Sequence, residues 1–178
     1  MNDARQQLIE YIGSDAVFHG DFTLTSGKKA SYYVDLRRVS LDHRVAPLIG
    51  DVMLDLIAPI ERVDAVGGLT MGADPIASAI LHRGVLRGLE YDAFVVRKAP
   101  KDHGRGRQVE GPDLAGKRVV VVEDTSTTGG SPHAAIEALL QRRGVYYDLY
   151  MTQFRGGAEE GQGEKTGATR AGGAESAP

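Results

Sequence analysis

The sequence predicts an α/β protein in which helices flank a central, mainly parallel sheet. Short continuous apolar runs at 64–69, 91–98 and 117–124 alternate with segments whose apolar residues recur at helical spacing. Strands that are buried on both faces need no polar alternation, and such strands are typical of parallel sheets. The chain has 178 residues, which is enough for one domain with a sizeable core.

The elements before the first apolar run can be assigned in order. Residues 3–13 carry apolar residues at helical spacing, which predicts a short helix. Segment 22–38 alternates in polarity and is interrupted by Ser26-Gly27, which predicts two strands joined by a turn. Segment 42–57 has the i, i+3, i+4, i+7 pattern of an amphipathic helix.

The second half of the chain continues the alternation and then changes character. Apolar spacing predicts helices at 75–86 and 132–143. Residues 145–154 alternate and can add a strand, although both of its faces would be more polar than a central strand allows. Residues 155–178 are rich in Gly, Ala and Glu and have no larger aliphatic residue, so we expect a disordered tail after a domain at 1–154.

Composition and charge exclude several classes of protein. The net charge of −3 lacks the basic excess of a nucleic-acid-binding protein, so we expect neither a nucleic-acid nor a membrane partner. The chain has no cysteine, which excludes disulfides and thiolate metal sites and suits the reducing cytoplasm. No run approaches the roughly 18 to 20 apolar residues that a membrane span needs. We therefore expect a soluble cytoplasmic protein.

A pair of acids follows the last strongly apolar strand, in the stretch VVVVEDTSTTGGSP at 119–132. The strand would place Glu123 and Asp124 at the carboxyl edge of the sheet, where ligands of such sheets bind. The loop 125–131 offers backbone N–H groups and hydroxyls before a helix that begins near Pro132, an arrangement that suits an anion. Together they suit a diol and a phosphate, as in ribose 5-phosphate, although such a loop also occurs as a plain turn and helix cap.

A second motif concentrates positive charge in the segment RKAPKDHGRGRQVEG at 97–111. Its six basic residues are Arg97, Lys98, Lys101, His103, Arg105 and Arg107. Many such runs are solvated loops. The glycines among them would allow the segment to close as a lid, and its cations suit a leaving group that carries several negative charges.

These motifs resemble those of a known family. The stretch 119–132 is similar to the phosphoribosyl pyrophosphate (PRPP) motif of the type I phosphoribosyltransferases, and R-K-x-x-K-x-H-G at 97–104 resembles the mobile loop of the orotate phosphoribosyltransferases. Segment 22–38 resembles the N-terminal hood of that family, and GGLTMGADPIASAI at 67–80 resembles its pyrophosphate loop. The resemblance implies a type I phosphoribosyltransferase fold, with a hood at about 15–40, a core at about 42–154 and a mobile loop at 98–111.

The resemblance also implies roles for individual residues and for partners. Catalytic roles fall on Lys101, His103 and Asp124. The expected PRPP contacts are Arg97, Lys98, Lys101, His103, Glu123, Asp124, Thr125, Ser126, Thr127, Thr128, Gly129, Gly130 and Ser131. The expected orotate contacts are Ser26, Gly27, Thr127 and Arg155. Mg²⁺ would be carried chiefly by PRPP, and a homodimer would share its active sites across the interface.

The chain departs from the family pattern in two places. Thr25 and Met71 stand where some members have lysines, and the sequence after Arg143 differs from the family, so that Arg155 matches a family arginine by position only. The resemblance implies the synthesis of orotidine 5′-monophosphate from orotate and PRPP in pyrimidine synthesis. It leaves open a PRPP-binding regulator, an inactive remnant, or a transferase for another base.

Overall fold

The computed structural model describes residues 3–23, 29–99, 107–125, 130–141 and 146–149. Their helices are α1 (Asp3–Tyr11), a π-helical turn (Ile12–Ala16), α2 (Arg37–Ser40), α3 (Ala46–Ile57), α4 (Ala73–Leu86) and α5 (Gly130–Leu140). Their strands are β1 (Val17–Thr23), β2 (Lys29–Val34), β3 (Ala65–Leu69), β4 (Asp92–Val96), β5 (Val109–Glu110), β6 (Arg118–Val121) and β7 (Tyr146–Leu149).

The strands form a hairpin and a five-stranded sheet. In the sheet the order is β5-β4-β3-β6-β7, and β3 lies parallel to both β4 and β6. The strand β7 is parallel to β6, whereas β5 is antiparallel to β4. The predicted α/β architecture with a mainly parallel sheet is confirmed.

Helices cover both faces of this sheet. Val120 and Val122 pack with α3 and α4 in one apolar cluster. Val119 and Val121 pack with Phe94 and α5 in the other. Successive side chains of a strand point to opposite faces, so the run of valines at the end of β6 supplies both cores.

Glycines allow the central elements to approach closely. A Cβ at Gly67 would lie 2.7 Å from the ring atom Cδ2 of Phe94, so a larger residue would push β3 away from β4. A Cβ at Gly50 would lie 2.5 Å from the carbonyl oxygen of Ala79, which is why α3 and α4 can pack backbone to backbone. Ion pairs from Asp51 to Arg83 and Arg87 then join the two helices.

The hairpin differs in its limits from the prediction. The strand β1 begins at Val17, five residues before the predicted alternation, and its pairing with β2 is irregular between His19 and Phe22. That irregularity shifts the polar period, which hid the first half of the strand from pattern analysis. The predicted turn at Ser26-Gly27 lies outside the described residues.

The segment predicted as a mobile loop, 98–111, also contains regular structure. Residues 100–106 lie outside the described residues, but Val109–Glu110 forms β5. Next to it Gly111 has φ of 125°, and a Cβ there would lie 2.9 Å from the carbonyl oxygen of Ala93. This glycine therefore fixes the end of the segment against β4, where the sequence alone predicted flexibility.

The end of the chain agrees with the predictions where the structure describes it. The helix α5 ends at Leu140, and β7 at Tyr146–Leu149 is the further strand expected within 145–154. The tail predicted at 155–178 lies outside the described residues. None of the described helices is long and apolar enough to cross a membrane.

Candidate active site

A cavity of about 440 Å³ lies at the carboxyl ends of β3, β4 and β6. Its wall combines residues that are far apart in the sequence, because parallel strands bring their carboxyl ends to one edge of the sheet. The lining comprises residues 33–37, 69–72, Lys98, 123–125 and Ser131. The predicted acid pair thus lies in one cavity with the end of the hairpin, with the loop after β3 and with Lys98 of the basic segment.

The two acids have different environments. Glu123 is only 4% exposed, whereas Asp124 is half-buried. Burial, together with the side-chain hydrogen bond and the negative charge of Asp124, raises the pKa of Glu123 to about 8, although the backbone N–H of Asp124 and the nearby Lys98 lower it. At neutral pH Glu123 therefore keeps a proton that it can donate.

Asp124 is held from two sides. The backbone N–H of Thr125 donates to Asp124 Oδ1 at 2.7 Å, and the N–H of Asp124 itself donates to Glu123 Oε1 at 3.3 Å. On the other side, a Cβ at Gly72 would lie 2.5 Å from Asp124 Cγ. Glycine at 72 is therefore needed for the acid pair and the loop after β3 to lie against each other.

The loop after β3 is tied to the next strand and helix. The backbone N–H of Thr70 donates to the carbonyl oxygen of Val96 at 2.8 Å, and its hydroxyl donates to Asp74 Oδ2 at 2.6 Å. The peptide between Thr70 and Met71 is cis. Because α4 begins at Ala73, these contacts fix the loop at the mouth of the cavity.

The predicted cations of the basic segment are only partly described. Lys98 is exposed and lines the cavity. Arg97 is half-buried outside the lining, where its N–H donates to the carbonyl oxygen of Gln108 at 2.8 Å and its own carbonyl accepts from the Gln108 side chain at 3.1 Å. Lys101 and His103 lie outside the described residues.

The predicted phosphate loop is described at its two ends. Thr125 and Ser131 line the cavity, and α5 begins at Gly130, so the helix starts two residues before the predicted Pro132. Residues 126–129, which include Thr127, lie outside the described residues, as do the other predicted orotate contacts. Those contacts are Ser26, Gly27 and Arg155.

Sequence reasoning named no residue from the end of the hairpin, yet Tyr33, Asp35 and Arg37 line the cavity. Arg37 Nε donates to Asp35 Oδ1 at 2.8 Å, and this hydrogen bond holds the pKa of Asp35 below its usual value. The signal was present as the charged residues of DLRR, which directly follow an alternating strand. The resemblance led us to expect donors and a positive side chain from the hood, but it gave no role to these three residues by number, and the geometry brings them to the site.

Curated relatives of this chain carry one name, although no family model matches it. The chain is 64% identical over 131 residues to the orotate phosphoribosyltransferase of Tropheryma whipplei, a match that covers 74% of this chain and 61% of that protein. It is 60% identical over 139 residues to the orotate phosphoribosyltransferase of Streptomyces coelicolor, covering 78% and 76%. The chain thus spans about three fifths of the first relative's length and three quarters of the second's.

Solved structures agree with these relatives. The orotate phosphoribosyltransferase of Mycobacterium tuberculosis H37Rv, in complex with Fe(III) dicitrate, has a TM-score of 0.72 at 48% identity and covers 83% of this chain and 82% of its own. The same protein in complex with PRPP has a TM-score of 0.69 at 43% identity, covering 83% and 81%. Sequence and fold agree, and the chain belongs to the orotate phosphoribosyltransferase family.

Proposed function

We propose that this chain transfers the ribose 5-phosphate group of PRPP to orotate, giving orotidine 5′-monophosphate and pyrophosphate in the synthesis of UMP. The observation that carries the proposal is the cavity in which the acid pair, Lys98 and both described ends of the phosphate loop meet. The structural relative from Mycobacterium tuberculosis that was solved in complex with PRPP supports the choice of donor.

The acid pair would hold the ribose. The Asp124 carboxylate accepts hydrogen bonds from a sugar hydroxyl, while protonated Glu123 both donates and accepts. The proton on Glu123 avoids the repulsion that two adjacent carboxylates would suffer. The 5-phosphate would lie between Thr125 and Ser131, where the first turn of α5 presents backbone N–H groups.

In the reaction a ring nitrogen of orotate forms a bond to the anomeric carbon as the bond from that carbon to pyrophosphate breaks. The sugar becomes cation-like and pyrophosphate gathers negative charge. Cations near that leaving group stabilise the transition state more than the bound substrates. We assign this role to Lys98 and, from the basic segment, to Arg97, Lys101 and His103, with Lys101 and His103 acting directly on the reacting groups.

We further propose that the reaction uses Mg²⁺. Asp124 offers a carboxylate at the cavity, but within the described residues no group of three or more His, Cys, Asp or Glu side chains is placed to hold a metal ion. This donor set fits an ion that keeps most of its ligands from PRPP oxygens and water. When bound, Mg²⁺ would neutralise charge on the pyrophosphate.

We propose a homodimer in which Lys101 and His103 of the basic segment act in the partner's cavity, while Lys98 lines the cavity of its own subunit. We also propose a cytoplasmic location, which suits the absence of cysteine. A largely apolar groove of about 620 Å³ adjoins the cavity and shares Arg37 and Met71 with it. Leu41 and Met71 expose large side chains in this groove. A second copy that covers the groove would bury them and bring its own basic segment beside the cavity.

The test is to mix the purified protein with PRPP, Mg²⁺ and orotate and to follow the loss of orotate absorbance. We expect turnover that Asp124→Asn abolishes and Glu61→Gln, an exposed acid outside the cavity, leaves intact. PRPP binding without turnover of orotate would instead indicate a regulator or an inactive remnant. Turnover with a different base alone would identify a transferase for that base.

A further inference from the structure

We propose that Arg37 binds the carboxylate of orotate and so selects an acidic base; this inference rests on the proposed function. Orotate differs from uracil by that carboxylate. An enzyme that uses orotate must therefore offer the carboxylate a partner that compensates for the loss of its hydration.

An anionic base needs a cation beside it in this cavity. Apart from the buried Glu123, the described part of the lining holds two acids, Asp35 and Asp124, and two basic side chains, Arg37 and Lys98. A second anion placed beside Asp124 would be repelled unless a cation lies next to it. Lys98 belongs to the basic segment that we assign to pyrophosphate, which leaves Arg37 for the base.

The position of Arg37 suits this task. It follows β2 and opens α2, at the end of the hairpin that resembles the family's hood over the base. Its Nε donates to Asp35 Oδ1 at 2.8 Å, and its backbone N–H donates to the same atom at 3.3 Å. One edge of the guanidinium is thereby oriented within the cavity.

The other edge remains available. Among the described residues, the two terminal nitrogens of Arg37 have no hydrogen-bond partner, and the side chain is 46% exposed. A guanidinium offers two parallel N–H groups that match a carboxylate, and the group stays charged at any pH in which the protein folds. The geometry is therefore that of an oriented carboxylate-binding fork.

The neighbouring arginine provides a matched control. Arg38 has the same charge and the same helix, but its guanidinium lies 5.0 Å from the centre of the Phe18 ring and outside the cavity lining. A change at Arg38 removes one positive charge from the same surface without removing a group from the cavity. A general electrostatic effect would thus affect both variants, and a specific contact only one.

The experiment compares Arg37→Gln, Arg37→Lys and Arg38→Gln in steady-state assays of orotate and PRPP. Loss of a hydrogen-bonded charge pair should raise the KM for orotate about 10- to 100-fold in Arg37→Gln, with the KM for PRPP nearly unchanged. Arg37→Lys should recover part of the loss, and Arg38→Gln should resemble the wild type. An unchanged KM for orotate, or an equal rise in both KM values, would overturn the inference.

A double variant distinguishes binding of orotate by Arg37 from repulsion of orotate by an Asp35 carboxylate that has lost Arg37 as its partner. Asp35→Asn combined with Arg37→Gln removes the anion that Arg37 neutralises, so the orotate defect should persist if Arg37 itself binds the carboxylate. Recovery of the orotate KM would show that Asp35 repulsion caused the defect and would overturn the inference. A wild-type protein that turns over no orotate would refute the proposed function itself, whereas wild-type turnover with a normal Arg37→Gln variant refutes only this assignment.

Discussion

Glu123 illustrates at the scale of one residue how a binding site is formed at the expense of stability. Its carboxyl lies buried at the end of β6 beside a second acid, and its pKa is raised from 4.5 to about 8. Between these values the folded protein holds a proton that the unfolded chain releases. The free energy of unfolding therefore falls as the pH rises through this window, by at most about 1.4 kcal/mol per pH unit.

Replacing Glu123 with Gln should remove this pH dependence. The amide is neutral at every pH, so we expect the variant to have a flatter stability profile and to be more stable than the wild type at pH 8. Urea unfolding at half-unit steps from pH 5 to 8.5 measures it, with the exposed Glu61→Gln as the control. Parallel profiles of wild type and Glu123→Gln would show that Glu123 is ionised when buried.

Gly72 makes a second prediction at this scale. A Cβ there would overlap the carboxylate of Asp124, and this carboxylate can rotate away. We therefore expect Gly72→Ala to cost under about 1 kcal/mol of stability. It should lower kcat/KM about 100-fold, because the Asp124 carboxylate that would hold the ribose is displaced. Gly13→Ala, which meets no atom within 4 Å, is the control. Full activity in Gly72→Ala would show that the position of Asp124 matters little to the reaction.

At the scale of elements, the sequence pattern predicted the helices and strands whose apolar spacing comes from burial alone. The helices α3 and α4 and the strands β3, β4 and β6 are each buried on a continuous face or on both faces, so their apolar spacing predicts them to within a few residues. The strand β5 has only two residues, too few to show a period, and it pairs antiparallel with β4 just before Gly111, whose positive φ and lack of a Cβ let the chain lie against Ala93. No local signal predicts such a strand.

The contact between α3 and α4 yields a prediction at this scale. Asp51 is 15% exposed on its side chain and accepts from both Arg83 and Arg87. Burial raises the pKa of Asp51, but the bonds from the two arginines lower it more, so this stabilisation is present above pH 3.8 and is lost as the pH falls below it. We expect Asp51→Asn to lose about 1–2 kcal/mol at pH 7.

Asp55 is the matched control, one turn further along α3. It pairs with Arg87 at 2.7 Å, but its side chain is 46% exposed. Asp55→Asn should therefore cost under about 0.5 kcal/mol. Urea denaturation of the two variants at pH 7 compares them directly. An equal loss in both would mean that burial of Asp51 adds nothing to the ion pair.

At the scale of the whole molecule, the sequence predicted the cavity residues that follow strands of the sheet, but not the cavity residues that follow the hairpin. Glu123 and Asp124 follow a run of valines that predicts a buried strand, so their place at the carboxyl edge of the sheet follows from the fold class. Arg37 lines the same cavity from the segment after the hairpin, and no periodicity encodes that long-range placement. Cavity residues at the ends of strands can therefore be predicted from the apolar pattern of the sequence, whereas cavity residues near the hairpin are identified only from the structure.

The last prediction concerns assembly. If the basic segment of one subunit acts in the cavity of the other, each site combines Asp124 of one subunit with Lys101 of its partner. Lys101→Ala and Asp124→Asn then each inactivate both sites of their own homodimer. A mixed dimer would place both changes in one site and leave its other site intact. Random assortment of equal amounts should then restore about a quarter of the wild-type activity.

The measurement is an orotate assay on the two variants after they have been unfolded together and refolded, with each variant alone and a tagged pull-down to establish mixed dimers. Arg38→Gln mixed with Asp124→Asn is the control, because Arg38 lies outside the cavity lining and its chains should be active alone. If mixed dimers form and remain inactive, the basic segment acts within its own subunit.

The adjoining groove gives a further test of the interface. Because Leu41 and Met71 are exposed in this groove, Leu41→Asp should prevent both dimerisation and the recovery of activity in the mixture.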